Sequence, residues 1–115
     1  MATETKVVDE VLRLQQLAQI EAQRAAIEDI CHRYSVAKLA LFGSIIHADE
    51  FGPESDIDFL VEFLPGARVG MRFVDMEIDL EDLLIRKIDL NTKMCLSQYF
   101  RDEVVEEAEV FYAAS

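Results

Sequence analysis

Asp56 and Asp58 stand one residue apart at the head of a run in which Ile57, Phe59, Val61 and Phe63 alternate with Asp56, Asp58, Leu60 and Glu62. Alternation of this kind predicts a strand, and alternate side chains of a strand share a face. The two aspartates therefore project together, with Cα atoms about 6.6 Å apart. Two carboxylates on that spacing can close on one divalent cation or bridge two, and an oxygen-only donor set favours a hard ion, Mg²⁺ or Mn²⁺. Upstream, Gly43-Ser44 follows an apolar strand over Lys38 to Phe42. A glycine there lets the backbone turn sharply and approach a ligand. Ser44 and the amides after it can face a phosphate if a helix begins at that point. No GK[ST] occurs in the chain, so this is not a Walker A loop. A phosphate-holding turn beside a metal-holding carboxylate pair is the apparatus of metal-assisted nucleotidyl transfer.

The series FGS, then SDID and LVEF, then IDL resembles the minimal nucleotidyltransferase (MNT) domains of the DNA polymerase beta superfamily, which are commonly encoded beside HEPN-domain toxins as antitoxins. The resemblance begins near Arg24 and runs to the C-terminus. It implies an α/β (α+β) nucleotidyltransferase fold: a small mixed sheet flanked by helices, here with an N-terminal helical extension over residues 1–20 and the domain over 21–115. It also implies that Asp89, in the KIDLN strand, lies beside the Asp-x-Asp strand as a third carboxylate. Asp56, Asp58 and Asp89 would then be catalytic and metal-binding, with two Mg²⁺ ions expected, and Gly43 and Ser44 would bind the nucleotide. The implied substrate is ATP. The implied partner is a HEPN RNase toxin, modified with AMP on a hydroxyl, a tyrosine by resemblance, in a hetero-oligomer. Family members often carry arginines just after Gly-Ser, where this chain has Ile45-Ile46-His47-Ala48; that predicts weaker ATP binding, or a site completed by the partner's basic residues. Family members also usually have Gly before the third strand, where this chain has Ile85.

The remaining composition bounds these expectations. A chain of 115 residues, 51% hydrophobic, builds one core and no second. The net charge of −12 repels phosphate backbones, so direct nucleic-acid binding is not expected and a basic protein partner is. Cys31 and Cys95 are far apart and lack clustered histidines, which predicts buried, reduced thiols and neither a disulfide nor a zinc site. No signal peptide or membrane-spanning run is visible, so a cytoplasmic location is expected.

Local signals along the chain set the elements that must carry the site. No Gly or Pro precedes Gly43, leaving the first third of the chain free to be helical. Val7, Val11, Leu14 and Ala18 fall at helical spacing, continued by Ile20, Ile27, Ile30 and Cys31, as one helix or as two with a break near Gln19. After the Leu64-Pro65-Gly66 turn, Val69 to Leu84 reads as a helix. Its apolar stripe is Val69, Phe73, Met76, Leu80 and Leu83, and Arg72, Asp75, Asp79 and Asp82 form a solvated face. That helix is long enough to cross between parallel neighbours. Ser97 to Ala108 reads as an acidic helix and Val110-Phe111-Tyr112 as an apolar end docking on the core.

Each candidate also has an ordinary explanation. Gly-Ser alone is a routine turn, Asp-x-Asp alone is usually a solvated strand end, and His47 reads as an exposed loop histidine. Their order and spacing together favour a ligand site. Three functions compete: protein adenylyl transfer, neutralisation of a basic toxin by binding alone, and nucleotidylation of a small molecule. The last usually needs an additional substrate-binding region, and fold by itself does not separate them.

Overall fold

The computed structural model describes residues 2–48 and 50–114, with side chains from residue 9 onward. The glycine-free first third forms two helices, α1 (Ala2–Ala22) and α2 (Arg24–Arg33). The break lies at Gln23, not near Gln19. The Gln23 amide is shared between the carbonyls of Gln19 and Ile20, each at 3.1 Å. The turn is a tertiary effect. Arg24 is drawn onto the far end of the chain, where its guanidinium stacks 3.9 Å above the Phe111 ring and donates to the Phe111 carbonyl at 2.8 Å.

The stripe read as apolar in α1 points the other way from the core. Val11, Leu14 and Ala18 are exposed, and the side chain of Val7 lies outside the described residues. Gln16 and Ile20 face inward instead, with Leu12 and Leu17 packed beside them. Helical spacing marks an apolar face but not what covers it, and Gln19, donating to the Leu84 carbonyl at 3.0 Å, helps set the rotation. Ile20, Ile27, Ile30 and Cys31 are buried, in keeping with their spacing.

Four strands follow: β1 (Val36–Phe42), β2 (Ile57–Phe63), β3 (Ile88–Asn91) and β4 (Glu109–Ala113), ordered β3-β2-β1-β4 across one sheet. β1 pairs antiparallel with β2 and with β4, while β2 and β3 run parallel. The parallel pair is joined by α3 (Arg72–Leu84), the crossover such neighbours require. The helix starts after Gly70, and Met76, Leu80 and Leu84 are its buried residues; Phe73 and Leu83 sit at the edge of the stripe. Its acidic face is more than solvated. Asp79 accepts the Tyr34 hydroxyl at 2.5 Å, and Glu77 accepts the Leu90 amide at 2.9 Å. Glu81 accepts the Ile88 amide at 3.4 Å. Since β3 is an edge strand, its outward amides would otherwise be unpaired, and carboxylates from the crossover helix occupy them.

The C-terminal segment departs further from expectation. Of the acidic helix expected over 97–108 only α4 (Arg101–Glu107) forms, and a 3-10 turn (Lys93–Cys95) lies ahead of it. Val110 to Tyr112 belong to β4, which covers the free edge of β1; Tyr112 is buried and Val110 exposed. A strand beside a waiting edge gains ladder hydrogen bonds that local sequence does not reveal. Cys31 is buried as expected, but Cys95, in the 3-10 turn, is exposed.

The helices cover one face of the sheet. Leu39, Leu41, Ile57, Phe59, Val61, Ile88 and Leu90 pack there against α1, α2 and α3. Lys38, Ala40, Asp58, Leu60, Glu62, Asp89 and Asn91 alternate with those core positions and point to the other face. Among the described residues, no helix is long and apolar enough to cross a membrane.

Candidate functional site

Alternation along β2 buries Ile57, Phe59 and Val61 and leaves Asp58 half-buried on the opposite face. In the parallel register Asp58 is the partner of Asp89, and in the antiparallel one it is the partner of Phe42. One residue therefore sits between the third carboxylate on one side and the Gly43-Ser44 turn on the other. Asp56 precedes the strand, half-buried, and Asp89 is exposed. Burial first, then the negative charges of Asp89 and Asp56 and a side-chain hydrogen bond with Asp89, push the Asp58 carboxyl up to about 7. The three acids named from sequence are thus within electrostatic reach of one another around Asp58.

Gly43 opens a 3-10 turn, Gly43–Ile46, at the end of β1. Its φ of +73° lies in the left-handed region, and a Cβ placed on it would lie 2.1 Å from Asp58 Oδ2. Only a residue without a side chain leaves that carboxylate its room. Ser44 follows at the surface of the turn, half-buried, and its carbonyl accepts the His47 amide at 3.1 Å. His47 itself is half-exposed, 3.4 Å from Glu107.

The loop between Gly43 and Asp58 is held by contacts that its polar sequence does not advertise. Ile45 and Phe51 are fully buried. Arg13 of α1 donates to the Ile45 carbonyl at 3.1 Å. Arg86, just before β3, lies 4.6 Å over the Phe51 ring and donates to the carbonyls of Gly52 and Ser55 at 2.7–2.9 Å. Sequence reading passed over Phe51, Arg13 and Arg86. An aromatic residue in a Gly/Pro/Ser-rich loop was the one local sign of an anchor.

The donor set fits a hard divalent cation. It consists of carboxylate oxygens alone, gathered where burial and mutual repulsion leave negative charge uncompensated. Among the described residues, no three acidic, histidine or cysteine side chains are already drawn into a finished metal cage. A cation seated there would instead displace the proton that burial and the neighbouring charges of Asp89 and Asp56 help keep on Asp58. Farther along the same sheet face, a hollow of about 450 Å³ is lined by Ala40, Leu60, Met94, Val105, Ala108 and Val110, among others. It does not include the carboxylates, but Leu60 and Asn91, paired in register, are one same-face step beyond Asp58 and Asp89.

A model of the nucleotidyltransferase domain matches residues 24–111. A protein of Methanocaldococcus jannaschii named as a candidate protein adenylyltransferase is 29% identical over 91 residues, spanning 79% of this chain and 91% of that relative. A solved structure described as a candidate minimal nucleotidyltransferase superposes with a TM-score of 0.66 at 29% identity, over 80% of this chain and 92% of the other. A crystal structure described as a toxin-antitoxin with AMP-PNP superposes with a TM-score of 0.59, over 80% of this chain and 74% of the other. Its identity is 18%, so the likeness there is one of fold.

Proposed function

The chain belongs to the nucleotidyltransferase domain family, and from that premise we propose that it is an antitoxin that transfers AMP from ATP to a hydroxyl, a tyrosine in our reading, of a HEPN-domain toxin. The observation that supports this most is the register pairing of Asp58 with Asp89 beside the Gly43 turn. The AMP-PNP and toxin-antitoxin descriptions of a structural neighbour, and the adenylyltransferase name of a relative, point the same way. In this reading residues 1–20 are a helical extension to a domain over 21–115, and the protein works in the cytoplasm as part of a hetero-oligomer.

The reaction forms a bond between the acceptor oxygen and the α-phosphorus, breaks the bond from that phosphorus to the bridging oxygen, and releases pyrophosphate. Positioning and charge neutralisation dominate such a transfer. Asp56, Asp58 and Asp89 would hold two Mg²⁺ ions, with Asp89 serving the one on the acceptor side. When bound, such a pair neutralises the attacking and leaving oxygens. Asp89 also takes the proton of the acceptor hydroxyl. Gly43 and Ser44 hold the β- and γ-phosphates through backbone amides and the serine hydroxyl. The hollow beyond Leu60 gives the acceptor protein's apolar side chains a seat beside the carboxylates. AMP on the toxin adds bulk and negative charge where RNA must bind.

The test is to incubate the chain with the protein encoded beside it, ATP and Mg²⁺, and to measure that protein's intact mass. One AMP adduct is expected with the native chain and none with Asp56→Ala or Asp58→Ala. Equal inhibition of the toxin by native and substituted chains, with no gain of mass, would instead establish neutralisation by binding alone, which the charge of −12 also favours.

A further inference from the structure

We propose that Arg86 is a positioning residue of the nucleotidyl-transfer site, fixing Asp56 by clamping the peptide bond that precedes it, while the neighbouring Lys87 carbonyl holds the one that follows; this rests on the metal-binding reading above. Asp56 lies outside the regular strand, because β2 begins at Ile57. What flanks it is held by two consecutive residues of the segment leading into β3. On one side the Arg86 guanidinium donates to the Ser55 carbonyl through Nε at 2.9 Å and through a terminal nitrogen at 2.7 Å. That carbonyl belongs to the same rigid peptide plane as the Asp56 amide. On the other side the Ile57 amide donates to the Lys87 carbonyl at 3.0 Å.

The clamp reaches further into the loop. The terminal nitrogen that meets Ser55 also donates to the Gly52 carbonyl at 2.7 Å. Ser55 closes the same turn on itself, its hydroxyl accepting the Gly52 amide at 2.9 Å and its own amide donating to the Gly52 carbonyl at 3.1 Å. Beneath the guanidinium, Phe51 is fully buried, so the cation rests on a fixed aromatic face. A planar fork serves two carbonyls in fixed directions while stacking flat on a ring, a geometry that a point-charge ammonium does not reproduce. Because Arg86 lies two residues before the strand bearing Asp89, this one side chain ties the approach to Asp56 to the segment that leads into the element presenting Asp89. The carboxylates on two strands are thereby held in one frame.

The experiment titrates Mn²⁺ alone into the full chain and its variants by calorimetry, at a temperature where circular dichroism shows each folded. It also follows hydrogen exchange of amides 52–58 without metal. Removing a partner that orients metal ligands lowers affinity by about ten- to a hundredfold. A loss of that size is expected for Arg86→Gln and a similar loss for Arg86→Lys, with faster exchange confined to the loop. Dilute guanidinium ion, well below denaturing concentration, should restore much of the affinity to Arg86→Ala. Wild-type Mn²⁺ affinity in Arg86→Gln and Arg86→Lys, or lowered melting temperature with affinity unchanged, would overturn the proposal while leaving the site reading intact. If the native chain itself takes up no Mn²⁺ beyond what Asp58→Asn does, the site reading fails and the proposal falls with it.

Discussion

Gly43 approaches Asp58 so closely that a Cβ on the glycine would lie 2.1 Å from the aspartate's Oδ2. The turn that ends β1 and the carboxylate at the centre of the acidic group are therefore one fitted unit, and each limits what the other can be.

Gly43→Ala should fold less stably and bind metal poorly. A left-handed φ costs a residue with a side chain about 1–2 kcal/mol, and the new methyl group displaces the Asp58 carboxylate. Urea denaturation should report that loss, and a Mn²⁺ titration should show affinity falling well below that of the native chain. Unchanged Mn²⁺ affinity would mean that Asp58 has room the geometry denies it.

Asp58 should impress a pH dependence on stability. Its carboxyl is pushed up to about 7 in the folded chain, against a usual 3.8. Between those values the folded state holds a proton that the unfolded state has lost. Its contribution is complete below about 4 and declines as pH rises to about 7. Urea midpoints of native protein and Asp58→Asn, compared across that window, should converge at the acid end and diverge toward neutrality, with the asparagine variant the more stable there. Adding Mg²⁺ at neutral pH should raise the native midpoint and leave Asp58→Asn nearly unmoved. A constant difference between the two proteins would contradict the crowding of charge around Asp58.

Ile85 caps α3 in the left-handed region, with φ 50° and ψ 46°, and donates its amide to the Glu81 carbonyl at 2.8 Å. Its side chain is 86% exposed, so little packing is lost on removing it. Ile85→Gly relieves a strain of about 1–2 kcal/mol and gives back part of it through the freer unfolded chain. A net stabilisation of about 1 kcal/mol or less is expected from denaturant midpoints. Destabilisation would show that the exposed isoleucine makes contacts in solution.

The two thiols should differ sharply in reactivity. Cys31 is buried, and burial, followed by the negative charge of Glu28, pushes its thiol up to about 12. Cys95 is exposed in the 3-10 turn. A thiol reagent at neutral pH should label Cys95 promptly and Cys31 only after denaturation. Prompt labelling of both would mean that the α2 face opens in the native state.

Much of this architecture is legible in one dimension because its signals are local. The period of two in Ile57–Phe63 and the absence of glycine and proline before Gly43 each report a preference of the backbone around them. Part of the candidate site's chemistry was legible for the same reason, since Gly43-Ser44 and Asp56-x-Asp58 stand out by type and spacing, whereas Asp89 was named only through the family resemblance. What failed to show was long-range. The last segment became β4 because β1 had an edge to cover. The α1 stripe turned outward because Gln16 and Ile20 took the inner face.

By itself, then, the sequence determined that β1, β2, β3 and the crossover helix form and which side chains are chemically able to hold a cation and a phosphate, since strand alternation, helical spacing and residue type need no partner. Only the tertiary structure decided that Asp58 lies level with Asp89 across a parallel pair, that Gly43 leaves it room, and that Arg86 and Lys87 grip both flanks of Asp56. Those relations join residues 15 to 31 positions apart. They exist because a crossover helix and a shared core bring distant backbone into register, and no local preference encodes that register.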